Sequence, residues 1–265
     1  RHAGARLILD KVINVDQLQN KVMLAERNPV SYDVASFDVG ITAKIDLPGF
    51  DEYGTGAKPL GIYAKQWNNF VENVKQGKVT PNVAVIGGGI AGCELAMAMA
   101  FALHAVGVSP QVTVIEVGLQ ISGVGGKVRQ KMLMAMDALG VVIKTNTRVL
   151  KVCVDQVLLD GQDPVVASFC VGAAGGKAHK WISQTNLPQQ NGFIKINSDL
   201  GVIGDNTLFA VGDCAVMVNV MLPKAGVFAV RAAPILHRNI RAALNGGIRK
   251  KWRPQKNFLK LISLG

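Results

Sequence analysis

The chain has 265 residues, 49% of them apolar and 18% charged, which allows a real core and excludes disorder as the main state. Its 29 glycines follow no G-X-Y period, so collagen-like and low-complexity readings fail. The net charge of +11 is dispersed. Its nearest approach to a cluster is Arg249-Lys250-Lys251 with Arg253, too short for a nucleic-acid-binding element, and no nucleic-acid partner is expected.

The first 40 residues read as β-rich, with strands at Arg6–Asp10, Lys21–Glu26 and Tyr32–Gly40, the last ending on a glycine. Residues 41–80 carry Pro48, Gly49, Gly54, Gly56, Pro59 and Gly61 and read mostly as loop. Within them Trp67, Phe70, Val71 and Val74 recur at helical spacing, which predicts a helix over Lys65–Gln76. After Thr80-Pro81 a new unit begins. Val83–Ile86 is an apolar, β-branched strand, Gly87-Gly88-Gly89-Ile90-Ala91-Gly92 a glycine turn, and Cys93–Ala105 a buried helix rich in Ala, Met and Leu. Val112–Glu116 is a second strand with an acid at its tip. Between Lys78 and Glu116 the one charge is Glu94, yet the glycines and Pro110 cut the stretch into pieces too short to span a membrane.

Farther along, Val128–Leu139 reads as a helix, and 141–144, 148–154 and 156–159 as short strands, the last two hairpin-like. Pro164–Gly172 reads as one strand ending on a glycine, and Thr207–Val211 as a strand delivering Gly212-Asp213. Gly226–Leu244 is a helix expected to kink or restart at Pro234, closed by Asn245-Gly246. Phe258–Gly265 is a strand-like apolar run. Arg1 stands first with no leader pattern after it, so no signal peptide is expected in this stretch, and the chain reads as a piece of something longer at both ends.

Cys93, Cys153, Cys170 and Cys214 never reach Cys-x-x-Cys spacing. No metal site and no thioredoxin-type pair is expected, and buried free thiols in a reducing compartment, the cytoplasm, fit best. His104 and His237 read as core or surface histidines, and Arg231, Arg238 and Arg241 as a solvated helix face. No catalytic residue stands out.

Gly87-x-Gly89-x-x-Gly92 has the context that a dinucleotide fingerprint requires: a strand before, a helix after, and Glu116 at the end of the next strand, 24 residues past Gly92. Gly87 permits the turn, Gly89 lets backbone approach a pyrophosphate on the positive helix N-terminus, and Gly92 allows helix and strand to pack. The Glu116 carboxylate suits a ribose diol and repels a 2′-phosphate, which favours NADH over NADPH. Glu94, in the first turn of the helix, suits the helix dipole and could instead lie near the nicotinamide.

Phe209-Ala210-Val211-Gly212-Asp213 resembles the second FAD motif of the two-dinucleotide flavoprotein reductases, the pyridine nucleotide-disulfide oxidoreductase superfamily. There the aspartate contacts the ribityl chain of FAD. Gly40 and Gly172 fall where that superfamily crosses between its FAD and NAD domains, though the usual Ala-Thr-Gly is replaced by Asp38-Val39-Gly40 and Cys170-Val171-Gly172. Tyr32–Gly40, Lys65, Gly87–Glu94, Phe209–Ala215 and above all Pro223-Lys224-Ala225-Gly226-Val227-Phe228-Ala229-Val230-Arg231 look like the NADH dehydrogenase-like flavoprotein half fused to selenide, water dikinases. Pro254-Gln255, Phe258-Leu259 and Leu261-Ile262-Ser263 continue the resemblance.

The resemblance implies an α/β fold of two nested Rossmann-like domains, the FAD domain incomplete because its own glycine motif is not seen. It implies FAD-binding segments at 1–79 and 176–265 around an NAD domain at 80–175. It implies an FAD-dependent NADH oxidoreductase passing electrons to a small-molecule acceptor, a quinone or a selenium or sulfur species. This stretch alone is expected to be inactive, and a fused kinase domain and peripheral membrane contact are possible in the whole protein. The cofactor-binding residues so implied are Gly87, Gly89, Gly92, Glu94, Glu116, Gly172, Gly212, Asp213 and Lys224. Lys224 and Phe228 could line a flavin or acceptor pocket, while Cys214 suits a packed small residue. The alternative is a regulatory module that binds dinucleotide without turnover.

Overall fold

A computed structural model describes residues 4–43 and 45–264; Arg1 and Gly265, the extremes of the expected end segments, lie outside the described residues. In chain order the elements begin β1 (Val12–Asp16), β2 (Lys21–Leu24), β3 (Val30–Ser31), β4 (Ala35–Phe37), α1 (Phe50–Tyr53), β5 (Gly54–Gly56) and α2 (Leu60–Lys75). Then come β6 (Asn82–Ile86), α3 (Ile90–Ala105), β7 (Gln111–Ile115), α4 (Gly126–Ala138) and β8 (Val141–Lys144). β9 (Val149–Val152), β10 (Gln156–Leu159), β11 (Gln162–Val166) and β12 (Phe169–Gly172) follow. The last are α5 (Lys180–Ser183), β13 (Gln189–Gln190), β14 (Phe193–Ile196), β15 (Leu208–Ala210), β16 (Ala215–Met217) and α6 (Gly226–Asn245).

The chain forms two compact units: residues 1–41 with 178–258, and residues 42–177 with 259–265. Residues 42–79, expected to go with the first part of the chain, pack instead with the central unit. β5 extends its parallel sheet by pairing Gly54–Gly56 with Cys170–Gly172, and α2 sinks Phe70 and Val74 into its core. Likewise 259–265 joins that unit rather than continuing the other.

The central unit is built on a five-stranded parallel sheet in the order β5-β12-β6-β7-β8. The apolar runs Val83–Ile86 and Val112–Ile115 are buried on both faces, as parallel strands covered on each side must be, here by helices on one face and by a second sheet on the other. α3 is apolar nearly all round because it lies inside: Gly92, Cys93, Ala96, Met97, Met99, Ala100 and Leu103 are buried. Because the chain runs outward from β6 through β7 to β8 and then returns on the other side with β12, the strand order reverses between β6 and β12. Ligands of open α/β sheets bind beyond the strand C-termini at such a switch point. A three-stranded antiparallel sheet, β11-β10-β9, stands beside the parallel one and shares a second core with Phe50, Ile86 and Ile115.

The other unit holds the meander β1-β2-β3, the parallel pair β4-β15, the sheet β13-β14-β16 and the long helix α6. Phe37, Leu208, Phe209, Ala210, Phe228 and Trp252 belong to its core. Asn239, fully buried on α6, donates to the carbonyls of Asp199 and Lys250 and accepts from the Lys250 N–H, at 2.7–2.8 Å. With its amide satisfied on both sides it stitches the helix to two loops.

Several expected elements differ. Arg6–Asp10 forms no strand: Leu7 and Leu9 are 81% and 77% exposed, and the pairing residues are Val12–Asp16, which find β2 as partner. α2 begins at Leu60, five residues before Lys65, with Pro59 as its N-cap; a fixed φ there favours helix entry. The single strand expected over Pro164–Gly172 is two. β11 closes the hairpin sheet, and the chain changes sheets at Ala167-Ser168 before β12 joins β6. α6 runs unbroken through Pro234, which is exposed. In place of the expected strand after Phe258, the described residues 259–264 form no strand pairing.

Candidate functional site

In the central unit β6 runs into the glycine turn and α3 rises from it. Gly87 has φ 111°, a conformation glycine adopts readily, and a Cβ there would lie 2.8–2.9 Å from the backbone and Cβ of Ala174. Gly92 is equally constrained, since a Cβ would overlap the Gly87 carbonyl and meet Ala173. Gly89 is different. A Cβ there would meet only Ser122 Oγ, at 3.6 Å, so its face is open. Gly89 is also the N-cap of α3, and no side chain caps that helix. Uncapped N–H groups at a helix N-terminus beside an open glycine face fit a phosphate.

Glu116, just past β7, places both carboxylate oxygens on backbone donors. Gly88 N–H reaches Oε2 at 2.6 Å and Gly118 N–H reaches Oε1 at 2.7 Å. The acid therefore fixes the turn it was expected to serve, and lone pairs are left for further donors. It also explains Gly88, an unspecified position of the fingerprint: a Cβ there would press on Glu116 Cβ at 2.8 Å. The loop after Glu116 folds back over the turn, with Ser122 N–H donating to the Gly88 carbonyl at 2.9 Å. Glu94, on α3, accepts the Ser263 N–H at Oε1, at 2.7 Å.

Gly172 ends β12 but offers no open face. The space where a Cβ would sit is filled by Ile45 Cδ1 and Phe50 Cζ, each at 2.6 Å. The structure gives Gly172 a packing part in the sheet, and the residues that reach the glycine turn are the next two, Ala173 and Ala174. Small residues directly after a strand-end glycine were the available signal for them.

In the other unit β4 and β15 run parallel and deliver Asp38 and Gly212-Asp213 to the same end. Gly212 has φ 67°, and a Cβ on it would overlap the Asp38 carboxylate. Burial, and then the charge of Asp213, push the Asp38 carboxyl above its ordinary value. Asp38 was noted in the sequence only as a departure from Ala-Thr-Gly. The structure places it directly against the Gly212 turn.

A cavity of about 240 Å³ opens beside this turn, lined among others by Phe193, Asp213, Met217, Lys224, Phe228 and Trp252. Lys224 Nζ donates to the Ala215 carbonyl at 2.8 Å and sits 3.9 Å from the centroid of the Phe193 ring. Burial lowers its pKa, against the opposing pull of Asp213. Phe228, expected beside Lys224, is buried in the same wall. Cys214 is a buried thiol pushed up by burial, as suits a packed residue. Cys93 and Cys170 are also buried, with thiols pushed up to about 11 and about 12. His237 and the arginines 231, 238 and 241 are exposed. Among the described residues no group of three potential metal ligands occurs, and no helix is long and apolar enough to cross a membrane.

Comparison with known proteins gives the family and the fold. The demethylphylloquinone reductase NdbB of Synechocystis is 27% identical over 218 residues, covering 77% of this chain and 52% of the relative. Two solved structures share the fold. NDH2 of Plasmodium falciparum in complex with NADH has TM-score 0.69 and 19% identity, over 79% of this chain and 50% of that one. An FAD-dependent pyridine nucleotide-disulphide oxidoreductase from Desulfovibrio vulgaris has TM-score 0.70 and 20% identity, over 93% and 64%. The chain thus spans about half the length of the curated relatives it matches. The pyridine nucleotide-disulphide oxidoreductase family matches over residues 2–236, and the chain belongs to it.

Proposed function

We propose that the chain is part of an FAD-dependent NADH oxidoreductase, with the nicotinamide nucleotide bound by the central unit and FAD by the other. The observation that carries the reading is the open face of Gly89 at the uncapped N-terminus of α3, with Glu116 anchored beside it. In this reading the pyrophosphate lies over Gly89, Glu116 accepts from the adenine-ribose hydroxyls, and Glu94 stands near the nicotinamide. Asp213 holds the ribityl hydroxyls of FAD, with Gly212 keeping the turn close and the 226–231 end of α6 nearby.

The flavin, when bound, supplies the hydride-accepting chemistry, and the protein supplies position and electrostatics. Lys224 and the aromatic wall of the cavity suit a planar, partly polar acceptor, and a quinone is the class favoured, in line with the quinone reductase among the relatives. The sequence resemblance adds the rest of the reading: a reductase half joined to a selenide, water dikinase portion in the whole polypeptide, working in the cytoplasm and touching a membrane surface where its acceptor is lipid-soluble.

The test is flavin content. In the full-length polypeptide carrying these residues, Asp213→Ala is expected to lower FAD recovered after purification, while Glu116→Arg retains it. Full flavin in the Asp213 variant contradicts the assignment.

A further inference from the structure

The sequence gives no reason for the apolar run after Phe258 to touch the dinucleotide motif more than 160 positions earlier. The structure brings them together within the central unit. Lys260 Nζ donates to the Gly123 carbonyl at 3.1 Å. Ile262, partly buried, packs against the core that contains Cys93, Met97 and Ile121. Ser263 N–H then donates to Glu94 Oε1 at 2.7 Å. Gly123 belongs to the loop that folds over the glycine turn and lies against Ile90, the first residue of α3. The segment is therefore fastened at two points, one on the loop that lies against Ile90 and one on α3 itself, with an apolar anchor between them. Leu259 and Leu261, the alternate residues, are 80% and 85% exposed, so one face of the segment is committed to the unit and the other to its surroundings.

Glu94 is the residue whose function this decides. Its carboxylate is only partly buried, on a side chain with three rotatable bonds. Left alone it would sample several rotamers over solvent. A short hydrogen bond from a backbone N–H to an ionised carboxylate is among the stronger polar contacts available, and it fixes one oxygen. Among the described residues no donor is placed on the other oxygen, Oε2.

We propose that residues 259–264 form a positioning strap for the dinucleotide site, in which Ser263 N–H holds Glu94 Oε1 so that Oε2 is presented to an N–H donor of the ligand, the carboxamide of a nicotinamide. This rests on the nucleotide reading above and adds to it a positioning residue from outside the Rossmann unit. The Ser263 side chain has no part in it; the donor is the backbone. Lys260 and Ile262 keep that donor in register.

The test compares the affinity of the full-length polypeptide carrying these residues for NAD with its affinity for 3-acetylpyridine adenine dinucleotide. The analogue keeps the pyrophosphate and both riboses but replaces the carboxamide N–H donors with a methyl ketone. The unmodified chain is expected to prefer NAD by roughly tenfold, the size of one hydrogen bond to a charged group. Ser263→Pro, which removes the N–H, and Glu94→Ala should each abolish that preference, and the double variant should be no worse than either alone. Ser263→Ala keeps the N–H and should retain it. Because proline also restricts Ile262, Lys260→Ala with Ile262→Ala serves as an independent loosening of the strap, with the same expected loss.

A contact that only stabilises the fold would weaken both ligands equally and leave their ratio unchanged. A preference that survives Ser263→Pro, or that is absent from an unmodified chain that binds both ligands, overturns the strap while sparing the nucleotide site. Failure of the unmodified chain to bind either ligand refutes the nucleotide reading, and the strap with it.

Discussion

Gly92→Ala and Gly61→Ala make the same chemical change in two helices of the same unit, and the structure gives them opposite signs. At Gly92 the added methyl would overlap the Gly87 carbonyl oxygen, lie 3.1 Å from its carbon and 3.4 Å from Ala173 Cβ. The nearest obstacle is backbone held in the glycine turn, so it yields only if the turn moves. Overpacking of this kind costs about 1–3 kcal/mol, and a rigid obstacle puts it at the upper end. Replacing glycine by alanine inside a helix returns about 1 kcal/mol. The net loss is about 2 kcal/mol, which for a chain of this size lowers the melting temperature by roughly 4–8 °C. At Gly61, exposed in the first turn of α2, a Cβ meets nothing within 4 Å. Only the propensity gain operates, damped near the helix start to about 0.5 kcal/mol, a rise of roughly 1–2 °C. Scanning calorimetry of both variants reads the difference. Shifts of the same sign and size would show that the helix does not approach the turn as described. Gly92→Ala should also weaken nucleotide binding where Gly61→Ala does not.

Three further outcomes follow from the side chains. Glu116→Arg removes the acceptor of two backbone N–H groups and reverses the local charge. It should weaken NADH binding by about tenfold or more while improving NADPH; an unchanged ratio of the two dissociation constants refutes the role. Asp38 has a raised carboxyl pKa in the fold, so its contribution to stability is fully present below the ordinary value of 3.8 and is lost as pH rises through the folded pKa. Asp38→Asn should therefore gain stability over the parent as pH rises from acid to neutral, and parallel pH–stability curves would contradict this. Among the thiols, Cys153 alone is not buried and should react rapidly with a disulfide reagent. Cys93, Cys170 and Cys214 should react only on unfolding, and a second fast thiol would mean that one of these sites is open.

What the sequence revealed, and what it hid, divides along physical lines. The strand, glycine turn, helix, strand and acid over 82–116 were legible because each step has a local cause: β-branched strands, a glycine turn, an Ala-rich interior helix, a carboxylate at the strand tip. The same holds for Phe209–Asp213 and for the closing Gly246, which adopts φ 68°. Boundaries set by partners were not legible. Nothing local in Gly54–Gly56 announces a sheet edge, because glycines take strand geometry there only when Cys170–Gly172 supplies the hydrogen bonds. Pro164–Gly172 looks continuous, and only the competing partners β10 and β6 divide it. Around the site, Gly88, Ala173 and Ala174 matter through close approach, which composition does not encode. Asp38 matters because a strand far away in the chain places Gly212 against it.

The most direct test of the central claim is an anaerobic titration of the full-length, flavin-containing polypeptide with NADH, followed through the visible absorbance band of the flavin. Oxidoreductase function predicts that the band bleaches as NADH is consumed, one NADH for each FAD, and returns when a quinone is added. A flavin that stays oxidised while NADH binds would contradict it and leave dinucleotide binding without turnover as the function.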